Sequence, residues 1–246
     1  MATRHLAERY VGTVGGPLWT ILQPAATVAV FWFVFSVGFK AHGPSNIPFI
    51  VYFLGGYVPW LLFSEVIQAS TTCIVGNRNL VKKTTFPTEI LPVVYIVSST
   101  ISHLVLLLIF AAVIAVSPQA LSGMFSLFLY FYGCLLVLAL GVSWLVASLQ
   151  VFSRDTAQVT AVLLNLWFWL TPIAWPENIV PTEVMRWLSA NPMYYVVTGY
   201  RYAFLGMNEF ATDPLSTIRF WVGSLLVLFL GAYVFRRLKP EFPDVL

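Results

Sequence analysis

The chain has 246 residues, 59% of them hydrophobic and 9% charged, whereas a soluble globular domain carries about 25% charged residues. With a mean hydropathy of +0.83 and 20 Phe, 11 Tyr and 9 Trp, this excludes a soluble domain, a disordered chain, a nucleic-acid-binding protein and a disulfide-stapled secreted fold. The net charge is only +3, so where the charges sit matters more than their sum.

In the opening stretch, Leu6, Tyr10, Val11 and Val14 fall on one helical face and Arg4, Glu8 and Arg9 on the other. This spacing predicts an interfacial helix over about residues 1–20, flat on the inner leaflet. A basic leader obeying the positive-inside rule is the alternative. Gly12, Gly15, Gly16 and Pro17 then turn the chain into its first apolar run, and nothing in residues 1–17 has the apolar core of a signal peptide.

About 20 apolar residues cross a hydrocarbon core roughly 30 Å thick. On that measure six spans are expected, over residues 21–39, 49–68, 91–116, 124–149, 159–174 and 218–235. The predicted fold class is therefore all-α integral membrane, a single transmembrane domain covering 1–246. The fifth span is short and is followed by Pro172 and Pro176, so its outer end is expected to break. With the N-terminus inside, Arg4, Arg9, Arg78, Lys82, Lys83, Arg154, Arg236, Arg237 and Lys239 fall on the cytoplasmic side. Only Lys40, Arg186, Arg201 and Arg219 fall outside. Lys and Arg in short loops stay in the cytoplasm, so both termini are placed there.

The cytoplasmic stretch 76–92 reads GNRNLVKKTTFPTEILP. It is long enough for one short surface helix with Leu80, Val81 and Phe86 available to a cytoplasmic partner; contact of Arg78, Lys82 and Lys83 with anionic lipid is the competing reading. The outer connection 175–217 is the longest. Helical patterns on either side of Asn191-Pro192 predict two short re-entrant helices forming an outer lid, while Trp187, Tyr194, Tyr195, Tyr200 and Tyr202 equally suit an aromatic belt.

Apart from Arg219 at the outer edge of the sixth span, only Glu65 and His103 are charged or titratable near neutral pH within the spans, too few for proton- or ion-coupled transport. His103 lacks neighbouring ligands at helical spacing, Cys73 and Cys134 lie in separate segments, and no metal site is expected. The phosphate loop, HExxH and GxSxG patterns are all missing, so catalysis is not expected in this chain. Aromatic residues are plentiful: Phe31, Trp32, Phe35 and Phe39 form a stripe on the first span, and Asn165, Phe168 and Trp169 lie in the fifth, with Trp175 just beyond. Such stripes pack as core, or line a passage in which rings stack on the apolar faces of sugars.

Three ordered segments carry a family resemblance: RYVGTVGGPLWTILQPAATVAVFWFVFSVGFK, then LVKKTTFPTEILP, then NPMYYVVTGYRYAFLG before the last span. Together they resemble the six-span permeases of type-2 ATP-binding-cassette exporters that move lipid-linked polysaccharides such as O-antigen, capsule and teichoic acid. Gly15-Gly16-Pro17 departs from the usual Leu-Gly followed by a small or apolar residue.

The resemblance implies a homodimer in the bacterial inner membrane that works with two copies of a separate cytoplasmic ATPase, ATP and Mg being bound by that partner and no cofactor by this chain. It implies that Arg78, Asn79, Leu80, Val81, Lys82, Lys83, Phe86 and Pro87 form the ATPase-coupling loop, and that Phe31, Trp32, Phe35, Phe39, Asn165, Phe168 and Trp169 wall a channel for a lipid-linked glycan. Trp175, Trp187, Asn191, Pro192, Tyr195 and Arg201 then belong to an outer gate. A non-transport membrane scaffold or a lipid-modifying enzyme is the alternative function, the latter requiring clustered His or Asp that this chain lacks.

Overall fold

The computed structural model describes residues 18–44, 47–83, 86–117, 125–207 and 213–246. The predicted interfacial helix falls almost wholly on residues 1–17, outside that set. Among the described residues the regular structure is helical throughout, without a strand.

The first apolar run forms α1 (Trp19–Phe31), which continues as a π-helix over Trp32–Gly38. It is followed by α2 (Phe49–Thr71), the short α3 (Cys73–Gly76) and α4 (Arg78–Lys83), and α5 (Ile90–Val116). Then come α6 (Phe125–Phe152), α7 (Thr156–Leu170), α8 (Thr182–Leu188), α9 (Pro192–Leu205), α10 (Pro214–Leu238) and the terminal turn α11 (Phe242–Val245).

Four of these, α2, α5, α6 and α10, are long and apolar enough to cross a membrane, and they coincide with the second, third, fourth and sixth expected spans. The expected first span is helical over Trp19–Gly38, and the expected fifth is helical but shorter, at Thr156–Leu170. The 15 residues of α7 rise about 22 Å, less than a hydrocarbon core of about 30 Å. Pro172 stops this helix: the residue before a proline is pushed out of the helical region, and Thr171 sits at ψ 132°.

α2 is buried without interruption from Val51 to Trp60, as befits a helix that is apolar on every side. α6 runs through the centre, packed against α2, α9 and α10. Where α6 crosses α10 the backbones nearly touch: a Cβ on Gly231 would stand 2.2 Å from the Gly141 carbonyl oxygen. Lipid offers helices no hydrophobic drive to associate, so close van der Waals contact between small residues holds such crossings together.

The predicted helices on either side of Asn191-Pro192 are α8 and α9. Asn191 caps α9, its Oδ1 accepting from the Met193 N–H at 2.9 Å, with Pro192 in the first turn. The aromatic-belt expectation needs correction. Tyr194, Tyr195 and Tyr200 are all buried, because α9 packs against α2 and α6 and turns these rings inward. Trp187 alone of the three outer-gate aromatics is strongly exposed, at 82%.

The apolar residues form two clusters. The larger fills the bundle; the smaller gathers Cys73, Ile74, Val81, Leu91, Ala147, Val151, Phe235 and Phe242. These residues belong to α3, α4 and α11, the start of α5 and the ends of α6 and α10, so the short helices and these three long ones converge there. Exposed Arg78, Lys82, Arg154, Arg236 and Arg237 flank the same ends, which makes it the basic end of the bundle.

Candidate functional site

The predicted channel residues divide into two sets. Phe31 and Phe35 turn toward α2 and enter a continuous stack of rings. Phe35 lies on Phe49 at 4.8 Å, Phe49 on Phe53 at 5.9 Å and Phe53 on Tyr57 at 5.0 Å, while Phe31 stacks on Phe53 at 4.6 Å. Phe168 joins edge-on to Phe31 at 6.1 Å and also meets Trp60. The ladder thus ties α1, α2 and α7 together. By contrast Trp32, Phe39, Asn165 and Trp169 are exposed, with Phe39 and Trp169 meeting the ladder at its margin through Phe35 at 5.6 Å and Phe168 at 5.3 Å. The π-helix between Trp32 and Gly38 shifts the register inside this stripe, a device found mostly at functional positions in helices.

Among the predicted gate residues, Arg201 lies deepest. It was expected outside, yet it is 1% exposed and sits within the bundle. Glu65 and His103 are therefore not the only ionisable groups inside; the sequence placed Arg201 in a connection, and the packing of α9 against α2 brings it in. Its Nη1 donates to the Pro172 carbonyl at 2.8 Å, Nη2 to Ile173 at 3.1 Å and Nε to Tyr52 at 3.2 Å. The break after α7 frees backbone carbonyls that have no helical partner, and in a membrane such groups must be satisfied within the protein. The planar fork of a guanidinium, with five donors, is suited to that task.

Sequence reasoning missed the other half of this arrangement. A Cβ on Gly56 would stand 2.9 Å from Nη2 of Arg201, and one on Gly55 would stand 3.0 Å from its Cγ. The glycine pair clears room for the side chain on the face of α2. The available signal was a Gly-Gly pair inside a long apolar run together with a lone arginine amid apolar and aromatic residues.

Asn191 extends the network. Its Oδ1 also accepts from Trp167 Nε1 at 2.7 Å and its Nδ2 donates to Thr171 Oγ1 at 2.9 Å. Trp175 donates from Nε1 to the Trp169 carbonyl, and Tyr195 meets Tyr130 and Thr217 through its hydroxyl. Trp175, Asn191, Pro192, Tyr195 and Arg201 are thus drawn together around the α7 break and α9, whereas Trp187 stands apart. His103 is buried, with Nε2 3.2 Å from the Tyr200 hydroxyl and its ring stacked on Tyr132. Among the described residues no group of three or more His, Cys, Asp or Glu is placed to hold a metal.

In the predicted coupling loop, Arg78, Asn79 and Lys82 are exposed on α4 and Pro87 is exposed beyond it. Val81 is buried in the smaller cluster, with Leu80 and Phe86 packed against it. The outward face of α4 is polar and basic; its apolar face is taken by the chain itself.

Comparison with known proteins places this architecture. The ABC-2 type transporter family matches residues 1–205, a stretch that ends with α9 and includes the ladder, α4 and the arginine network. The chain belongs to that family. It is a multi-pass membrane protein whose family is one of transport proteins. It is 27% identical over 246 residues to the O-antigen export system permease protein RfbA of Myxococcus xanthus, covering 99% of this chain and 93% of the relative. To the protein of the same name from Klebsiella pneumoniae it is 24% identical, over 100% of this chain and 93% of the relative. The polysialic acid transport protein KpsM of Escherichia coli is 23% identical, over 95% and 90%.

Proposed function

We propose that this chain is the membrane-embedded permease of an ATP-driven exporter that carries a lipid-linked polysaccharide, of O-antigen, capsule or teichoic acid type, from the cytoplasmic to the outer face of the bacterial inner membrane. The observation that carries this reading is similarity over nearly the full chain to permeases named for O-antigen export. In this reading two copies associate with each other and with two copies of a cytoplasmic ATP-binding-cassette ATPase, which binds ATP and Mg. α1 with its π-helix and α7 are the first and fifth of six spans, and both termini are cytoplasmic, as the cations at the basic end favour.

The passage is assigned to the aromatic stripe. Exposed Trp32, Phe39, Asn165 and Trp169 face the glycan, and the ladder of Phe31, Phe35 and Phe168 against α2 keeps that wall rigid. Ring-to-sugar stacking is modest per contact, so a polymer holds several contacts and still shifts register. Arg201 and Asn191 hold the α7 break as the frame of the outer gate. Exposed Arg78, Asn79 and Lys82 on α4 meet the ATPase, with positive charge steering it toward acidic residues.

The test is expression of the permease with an ATPase encoded beside it, in cells lacking their own exporter. Copurification of the two chains and polymer at the cell surface are expected. A permease that binds no ATPase, or a complex that leaves polymer in the cytoplasm, rejects the reading. Topology is tested by cysteine labelling: an impermeant reagent should reach position 40 from outside intact cells and fail to reach position 154.

A further inference from the structure

α4 has six residues, too few to hold a helix or an orientation unaided. What positions it is the smaller apolar cluster, which is separate from the main core. The segment after α10 closes that cluster. Lys239–Glu241 forms one 3-10 turn and Phe242 opens α11. Phe242 is fully buried, its ring edge-on to Phe235 of α10 at 5.4 Å and tilted against Phe152 of α6 at 6.2 Å. α11 also packs directly on α4, where Val81 shares the same cluster.

A polar clamp lies beside it. Lys239 Nζ is 2.5 Å from Glu89 Oε2, joining the end of α10 to the residue that precedes α5. The Glu89 carbonyl accepts from Trp144 Nε1 of α6 at 3.1 Å. One residue pair and one indole therefore lock the ends of three long helices at the point where the α4 loop returns to the bundle.

We propose that residues 239–246 are a brace that fixes α4 to the inner ends of α6 and α10, so that a push on α4 is delivered to these two helices instead of being absorbed by the loop. This rests on the reading of α4 as the coupling helix. Phe242 and the Glu89–Lys239 pair are positioning residues: they touch neither glycan nor nucleotide. Because α6 is the central helix and crosses α10 at the Gly141–Gly231 contact, motion entering at the brace reaches the part of the bundle with the least slack.

Two experiments test it. In the permease–ATPase complex, Phe242→Ala is expected to leave assembly and basal ATP hydrolysis near wild type while export falls at least about fivefold, the lower end of a typical coupling between sites. Phe242→Leu should restore export. Glu89 and Lys239 are partly exposed and their reversal does not threaten folding: Glu89→Lys and Lys239→Glu should each lower export, and the double reversal should recover it. Wild-type export by Phe242→Ala, or by both single reversals, overturns the brace. In the permease alone, spin labels at Lys82→Cys and Arg237→Cys should give one narrow distance that broadens with Phe242→Ala. A broad distance in the parent, or none of this broadening, also overturns it. A parent complex that hydrolyses ATP but exports nothing sinks the transport reading instead, and the label distances still decide the brace.

Discussion

The guanidinium of Arg201 lies 3.6 Å over the ring of Tyr52 while donating to the carbonyl of the same residue. The Tyr52 hydroxyl in turn donates to the Trp175 carbonyl at 3.2 Å. Arg201 holds Pro172 and Ile173, so this one pair pins the non-helical segment after α7 along most of its length.

Removing the guanidinium orphans buried carbonyls, each at about 1 to 3 kcal/mol, and forfeits a desolvated cation–π contact of about 2 kcal/mol. Arg201→Met should therefore sharply reduce folded protein in detergent. Arg201→Lys should fall between it and wild type, because an ammonium lacks the planar fork. Size-exclusion profiles after a heating series give the ranking, and a methionine variant that melts with wild type refutes the role assigned to Arg201.

The glycines of α10 should respond oppositely to the same change. A methyl at Gly231 meets backbone, not a movable side chain, so Gly231→Ala must part α6 from α10 at about 1 to 3 kcal/mol. Gly223 on the same helix has nothing within 4 Å of its would-be Cβ, and Gly223→Ala should be neutral or slightly stabilising. Equal melting temperatures for the two variants contradict the close crossing.

The aromatic stripe should split in function as it does in space. Phe31→Ala and Phe35→Ala remove rungs of the ladder and should lose complex yield and export together, with truncation of a buried Phe costing about 3 to 5 kcal/mol in soluble cores. Phe39 and Trp169 are 73% and 51% exposed, and their alanine variants should keep yield while export drops. Surface polymer measured beside the yield of intact complex separates the cases; parallel losses at Trp169 withdraw it from the passage.

The Glu89–Lys239 contact should weaken in acid. The hydrogen bond from Lys239 holds the Glu89 carboxyl below its ordinary value of 4.5, with the Lys239 and Arg236 charges adding to the effect and partial desolvation opposing it. A carboxyl whose folded value is depressed contributes stability above the unfolded value and loses it as pH falls through the folded one. The melting difference between wild type and Glu89→Gln should thus be largest near neutral pH and vanish in acid below the folded value. A difference that grows on acidification contradicts the assignment.

Much of this protein is legible from composition and periodicity. Runs of about 20 apolar residues reveal spanning helices because lipid demands internal satisfaction of every backbone group, and α2, α5, α6 and α10 follow. Proline marks the end of α7, and Asn191-Pro192 marks the start of α9, because both act on the local backbone. What periodicity could not reveal is which face meets which neighbour. Phe31 and Trp32 are consecutive and equally aromatic, yet one enters the ladder and the other faces out. Val81 reads as a free apolar residue on a short helix until Phe242, far away in sequence, covers it. Arg201 reads as a charge in an outer connection until the space above Gly55 and Gly56 admits it. In each case the energy lies in contacts between residues distant in the chain, and only the packed bundle brings them together.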